Sequence, residues 1–296
     1  GPVERFAQLL AGAAGEWEDR LGEHWSARLG AGIDVSATPE SGDKPRRATL
    51  ARAALGARLT RQLGGDRQVH LAAGRRARFP SLRELYSGAL GRFVPNPDLA
   101  PELLTTVELG IGEHRPRLDW ALAAYLQRID DGIVRVALPD RRFQRRNVDA
   151  IRARGVELSV QWRPRRGPRI DLQQSLLRAR TRGPGGAFDL PVERRPVFLT
   201  TLGVAQTLGG GLTASAEAIG TGARYGLDAA SGGLIRLPPA LVLNLRAAWR
   251  LPPHAGRPWG GELYARLDNL LDREVLAQPG LPEPGRVLRV GVRVEL

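Results

Sequence analysis

The chain has no cysteine and no methionine, and Lys44 is its only lysine. The first absence excludes disulfides and thiolate metal sites, and it fits any compartment. Aromatic residues make up only 5% of the 296 residues, so any aromatic girdle is thin. No window holds the ~18 or more apolar residues of a membrane helix, so helical spans are excluded. A membrane protein built of strands is not excluded, because alternating strands hide their hydrophobicity. Residue 1 is glycine, and no basic stretch followed by an apolar one marks a signal peptide. An N-terminal portion missing from the sequence is the expectation.

What is abundant is arginine. Net charge is +13 and the sequence pI is about 11.3, with all but one of the lysine and arginine positions being arginine. That skew is attributed to a GC-rich coding background. A basic balance fits nucleic acid, anionic lipid or an anionic ligand. Read along the chain, the arginines are spread over strands and turns and not gathered in one patch, so nucleic acid is not an expected partner.

The dominant pattern has period two, the signature of strands with one apolar and one polar face. Trp25, Ala27, Leu29, Ala31, Ile33 and Val35 alternate with Ser26, Arg28, Gly30, Gly32, Asp34 and Ser36. Val156, Leu158, Val160 and Trp162 oppose Glu157, Ser159, Gln161 and Arg163. The same alternation recurs from Ala51 to Leu59, from Leu241 to Trp249 and from Leu263 to Leu267. It predicts about thirteen strands, at 4–17, 24–36, 48–62, 67–78, 104–113, 118–129, 154–163, 169–181, 196–208, 211–222, 239–251, 260–269 and 286–296. Most are long enough for the roughly 9–11 residues that cross a bilayer at a tilt. Trp25, Trp120, Trp162 and Trp249 fall on the apolar face.

The connections alternate short and long. Short ones are expected near 20–23, 64–67, 114–117, 164–168, 209–210 and 252–259, and long ones near 38–47, 79–103, 130–153, 181–195, 221–238 and 270–285. Outer-membrane barrels keep this rhythm, with short turns inside and long loops outside. On that phase every long connection lies outside the cell.

The longest connections carry the most specific residues. Phe79-Pro80-Ser81-Leu82-Arg83-Glu84-Leu85-Tyr86 is followed by Pro95-Asn96-Pro97-Asp98-Leu99-Ala100-Pro101-Glu102. Tyr125 precedes Arg128-Ile129-Asp130-Asp131-Gly132-Ile133, and Asn147 precedes Gly155-Val156-Glu157. Arg194-Arg195-Pro196 opens a later strand, and Asn269-Leu270-Leu271-Asp272 leads to Pro284-Gly285-Arg286. The last strand, Arg289 to Leu296, ends in leucine where an aromatic is usual for strands of its kind. In this order the segments resemble the barrel of TonB-dependent outer-membrane receptors, with Leu271 standing where that family usually has an aromatic. The motif residues of the resemblance are Phe79, Pro80, Leu82, Leu85, Tyr86, Asn96, Pro97, Leu99, Pro101, Glu102, Gly155, Glu157, Asn269, Asp272 and Arg286. Most are expected to build the barrel. Asn269 and Asp272 suit turns, and Gly155 and Gly291 suit close packing or bends.

The resemblance implies an all-β fold: the C-terminal portion of a transmembrane antiparallel up-and-down barrel of ~22 strands. A single partial barrel domain over 1–296 is expected, with earlier strands, plug and TonB box lying before residue 1. An odd, open set of strands cannot satisfy both edges in lipid. The implied function is energised uptake of a large scarce solute across the Gram-negative outer membrane: a siderophore–iron complex, haem, a cobalamin or similar. Implied partners are outer-membrane lipid and lipopolysaccharide, TonB through the plug, the barrel-assembly machinery through the last strand, and the ligand. Ligand contact is expected from Arg83, Tyr86, Arg92, Phe93, Arg142, Phe143 and Tyr225, although the aromatic ones equally suit bracing loops together. Arg141, Arg142, Arg145 and Arg146 could bind lipopolysaccharide phosphates or an anionic ligand. Arginines on the polar face, such as Arg28, Arg52, Arg58, Arg246, Arg266 and Arg289, are expected mainly to pair with carboxylates including Glu262 and Asp268.

Nothing points to an enzyme. His24, His70, His114 and His254 are not at metal-ligand spacing, and no nucleophile stands beside a base. Gly183-Pro184-Gly185-Gly186 lies at no strand-to-helix junction, so it is not a phosphate loop. No cofactor and no resident metal are expected. Two other classes stay open: a barrel that does not transport actively, either a passive pore that would conduct without TonB or a nonfunctional, truncated fragment, and a soluble β-protein that binds an anionic polymer with steep salt dependence.

Overall fold

The computed structural model describes residues 4–182, 187–228, 231–251 and 260–295. The expected turn at 252–259 with His254, the Gly183 to Gly186 stretch and Leu296 lie outside the described residues. In chain order the elements are β1 (Phe6–Arg20), β2 (Trp25–Ser41), β3 (Leu50–Gly64), β4 (Arg67–Arg78), α1 (Leu82–Tyr86) and β5 (Phe93–Val94). Then come β6 (Glu102–His114), β7 (Leu118–Ala137), β8 (Phe143–Trp162), β9 (Arg169–Thr181), β10 (Leu190–Pro191), β11 (Phe198–Gly209) and β12 (Leu212–Thr221). The rest are β13 (Arg224–Leu227), β14 (Leu234–Leu237), β15 (Ala240–Leu251), β16 (Gly260–Asp268), β17 (Leu276–Gln278), β18 (Leu281–Pro282) and β19 (Val287–Glu295).

Thirteen long strands form one antiparallel sheet in the order β1-β2-β3-β4-β6-β7-β8-β9-β11-β12-β15-β16-β19. Each corresponds to one expected span. Every strand therefore lies beside its predecessor in the chain, the up-and-down arrangement. Among the described residues, β1 and β19 each pair on one side only.

Register sorts the side chains onto two faces. On the outer face Trp17 lies opposite Leu29, Leu29 opposite Ala57, Ala57 opposite Ala73, Ala73 opposite Val107 and Val107 opposite Leu126. Farther on, Trp249 lies opposite Leu263, and Leu263 opposite Val292. These large apolar side chains are exposed: Leu29 by 51%, Leu126 by 63%, Val292 by 67%. A contiguous apolar face of this extent calls for lipid. Trp17, Trp25, Trp120, Trp162 and Trp249 all stand on this face near the short connections, where aromatic rings suit a membrane–water boundary.

The inner face is polar. Arg28 bonds Glu18 at 2.7 Å and lies 3.5 Å from Glu16. His70 bonds Glu108 at 2.9 Å. Arg246 pairs with Glu262, and both Arg266 and Arg289 pair with Asp268, as expected of these arginines. Arg28 instead uses Glu16 and Glu18, two strand residues the alternation did not single out.

One connection differs from expectation. The loop foreseen at 130–153 is largely strand, because β7 runs to Ala137 and β8 begins at Phe143. Beyond Ile129 the hairpin leaves the apolar belt. Its residues no longer alternate apolar with polar, so the period-two signal ends before the pairing does.

Glycine marks the closest contacts between neighbouring strands. Gly155 lies opposite Tyr125, and a Cβ there would meet the Tyr125 hydroxyl at 2.4 Å and the Leu176 carbonyl at 2.7 Å. Gly291 holds the Tyr264 ring in the same way, with the Tyr264 Cζ 2.4 Å from a Cβ placed there. Gly155→Val is expected to destabilise the full-length protein by about 1–3 kcal/mol through overpacking. Gly56, with nothing within 4 Å of its Cβ position, supplies the control Gly56→Ala. Equal urea midpoints for the two variants would refute the packing role.

Candidate functional site

The 79–102 connection between β4 and β6 is a small folded unit. Ser81 starts α1 with a capping box: its hydroxyl accepts the Glu84 N–H at 3.3 Å, and the Glu84 carboxylate accepts the Ser81 N–H at 2.9 Å. Leu82, Leu85 and Tyr86 fall on one side of the single turn, three and four residues apart. The helix ends at Ser87, before Gly88. Past it the chain makes a 3-10 turn at Ala89–Gly91 and then the short strand β5 at Phe93–Val94, extended as the residue preceding Pro95 requires. Asn96 turns it, accepting the Asp98 N–H at 3.2 Å.

This unit packs onto the inner face at the long-connection end. Leu85 and Leu99 are fully buried, and Tyr86 is 6% exposed, with Phe6, Leu82 and Ile133 against them. Burying the two leucines contributes about 1.5–3 kcal/mol each. The Tyr86 ring lies 5.4 Å from that of Phe6. Polar bonds complete the docking. Gln8 donates to the Pro80 carbonyl at 2.9 Å, and Arg47 donates to the Leu99 carbonyl. The Asn96 amide donates to the Arg145 carbonyl at 2.8 Å. Asn147 accepts the Ala100 N–H at 2.8 Å and donates to the carbonyls of Ala100 at 3.1 Å and Asp131 at 2.5 Å.

Glu102 and Glu84 share Arg78. Glu102 pairs with its Nε and also accepts the Ile133 N–H at 2.6 Å, while Glu84 accepts from its Nη1 at 2.9 Å. Burial works against ionised Glu84, but Arg78 and the Ser81 N–H together hold its carboxyl below the ordinary value of 4.5. A lowered carboxylate contributes its full stability above the ordinary value and loses it as pH falls through the folded one. Amide exchange in the 79–102 unit is therefore expected to speed up as pH drops below about 4.5, relative to intrinsic rates. Glu84→Gln should flatten that rise; an unchanged profile would rule the mechanism out.

A second cluster joins the unit to the β7–β8 hairpin. β5 pairs in parallel with the start of β8, setting Phe93 opposite Phe143, with ring centroids 5.7 Å apart. Arg145 lies over the Phe93 ring at 5.0 Å, and Arg135 over Phe143 at 4.8 Å. Arg135 also bonds Glu193 at 2.6 Å, and Glu193 accepts the Leu227 N–H at 3.4 Å.

The expected ligand-contact residues divide by environment. Arg83, Arg92 and Arg142 are exposed. Arg142 bonds Asp140 at 2.7 Å, which holds the Asp140 carboxyl below its ordinary value. Tyr86 and Phe143 are buried, Phe143 to 4% exposure, and Phe93 is half-buried; these rings brace the loop. Tyr225 stands apart, half-buried in the β13–β14 hairpin, where its carbonyl accepts the Arg194 N–H at 2.8 Å. Asn269 and Asp272 take left-handed backbone angles and bond the backbone, Asn269 to Arg273 at 2.8 and 2.9 Å, Asp272 to the Arg286 N–H at 2.8 Å. Sequence reasoning gave no role to Arg47 and Gln8, whose partners lie 52 and 72 residues away. Among the described residues no group of three or more His, Asp or Glu side chains is placed to hold a metal ion.

No curated protein matches the chain. Among solved structures it is similar to the copper transporter OprC, with TM-score 0.76 and 18% identity over 97% of this chain and 47% of that one. It is likewise similar to the FrpB iron transporter of Neisseria meningitidis, F5-1 variant (TM-score 0.74, 14% identity, 99% and 47%). A third is BauA, the ferric preacinetobactin receptor of Acinetobacter baumannii (0.72, 16%, 99% and 44%). The chain thus spans about half the length of these structures, and at such identities the likeness concerns the fold. Residues 6–270 match the family model described as TonB dependent receptor-like, beta-barrel. The chain belongs to the TonB-dependent receptor family and forms part of its outer-membrane β-barrel.

Proposed function

We propose that this chain is the C-terminal part of the barrel of a receptor that takes up a scarce metal chelate across the outer membrane, driven by TonB. The observation that carries the reading is the 79–102 unit, folded against the inner face and presenting exposed arginines beside it. Arg83, Arg92 and Arg142 suit an anionic ligand such as a ferric siderophore, because guanidinium groups bind carboxylates and phenolates through paired hydrogen bonds. Plug and TonB contact belong to the part of the receptor outside this sequence. The long connections face the cell exterior in this reading, and β19 is the strand offered to the assembly machinery.

The test is uptake of radiolabelled ferric siderophores by cells that carry or lack the full-length gene, each with and without TonB. Uptake lost in both deletions supports the reading. Uptake or ion conductance that survives loss of TonB would identify a passive pore instead.

A further inference from the structure

Register gathers arginines that the sequence scatters. On the outer face Arg152 lies opposite Arg128 on β7 and Arg180 on β9, and Arg154 lies opposite Arg178. Along the chain these residues looked evenly spread; across the sheet they form one patch. It sits on the same face as Leu126, Val156 and Leu176, toward the long connections.

Like charges directly opposite one another destabilise a strand pair. Arg128 is relieved by Asp130, at 2.7 Å. Among the described residues, Arg152, Arg154, Arg178 and Arg180 form no ion pair with a carboxylate. They line an open groove of about 520 Å³, whose other walls include Val107, Leu126 and Phe188. The Phe188 ring lies 4.0 Å from the Arg152 guanidinium and closes the groove on the loop side.

We infer that this groove is a lipid site, taking the phosphorylated sugar headgroup of an outer-leaflet glycolipid, with acyl chains along the apolar face below. The geometry fits both parts of such a molecule. Two neighbouring strands, β8 and β9, at about 4.8 Å spacing and two rows about 7 Å apart spread the four guanidinium groups wide enough for more than one phosphate. Each can give a phosphate two parallel N–H bonds. The apolar strip below, through Leu126, Val156 and Leu176, meets the chains. The inference rests on the proposal that the long connections face outward, which sets the patch in the outer leaflet. It also moves lipopolysaccharide contact from the loop arginines near Arg142 to the outer sheet face.

Full-length protein is extracted from outer membranes in mild detergent, and bound lipid is read by native mass spectrometry. One phosphorylated glycolipid is expected to stay with the protein. In Arg152→Gln/Arg154→Gln/Arg178→Gln/Arg180→Gln its occupancy should fall at least about tenfold, since several charge-assisted bonds are lost. The inner-face control Arg52→Gln/Arg58→Gln should keep it. With purified diphosphorylated lipid A as probe, the dephosphorylated form should not compete, nor should inorganic phosphate. Full retention by the quadruple variant, equal binding of the dephosphorylated lipid, or displacement by inorganic phosphate would each overturn the site. If the quadruple variant lacks heat-modifiable gel mobility, Arg154→Gln/Arg178→Gln is read in the same way. Recovery of the protein outside the outer membrane overturns the outer-membrane receptor reading as well; recovery in the outer membrane without lipid overturns this inference alone.

Discussion

Replacing Leu99 with alanine is expected to cost about 2–5 kcal/mol of docking free energy in the 79–102 unit, from lost burial plus the cavity left behind. Leu99 has no exposed surface, and its contacts with Leu85 and Tyr86 form the centre of the only cluster of buried apolar residues identified among the described residues. A sheet with lipid on one side and a polar interior on the other has little core elsewhere. The loss should therefore stay local. In full-length protein in detergent, amide exchange across 79–102 should accelerate about 30-fold or more, the factor matching the lower end of that range. The long strands should keep their protection, and the barrel its heat-modifiable mobility. Unchanged exchange in the loop would show that its place is fixed by something other than this cluster.

Asn147→Ala is the polar counterpart. Its amide makes three bonds to backbone, two to Ala100 and one to Asp131. At about 1 kcal/mol net for each bond, with a further penalty for leaving the Ala100 groups unpaired, the loss should reach about 2–4 kcal/mol. Asn147→Asp should be nearly as harmful, because a carboxylate cannot donate to the carbonyls of Ala100 and Asp131. Both are read by the same exchange experiment. Leu99 and Asn147 hold adjacent points of one segment, so their effects should couple by more than about 0.5 kcal/mol in a double-mutant cycle. Strict additivity would mean that the segment's two attachments open independently.

These two residues differ in how openly the sequence displays them. Leu99 sits in a motif of recognisable order, and its burial follows once that motif is seen. Asn147 also lies in a recognisable segment, but its partners are 47 and 16 residues away, and no local pattern points to them. The strands were legible because two environments, lipid outside and polar groups inside, imprint strict alternation. Where the β7–β8 hairpin leaves that setting the imprint stops, and the last turns of the pairing go unread. Helix α1 is a milder case. Ser81 and Glu84 carry the spacing of a capping box, but neighbouring prolines and glycines argue for loop. The arginine patch was hidden for another reason: linear spacing does not report which residues a register brings face to face.

The 79–102 unit touches Phe6 and Gln8 on β1 at one end and Arg145 and Asn147 on β8 at the other. In sheet order those strands are six intervals apart, about 29 Å along the sheet at the usual ~4.8 Å spacing. The unit is thus a chord stretched beneath an arc. A chord and an arc of set length together fix a curvature, which backbone hydrogen bonds between neighbouring strands leave free to vary. The width of the opening at this end is then governed from within, by a strut whose two ends rest on small clusters. Releasing either end would let seven strands flatten together.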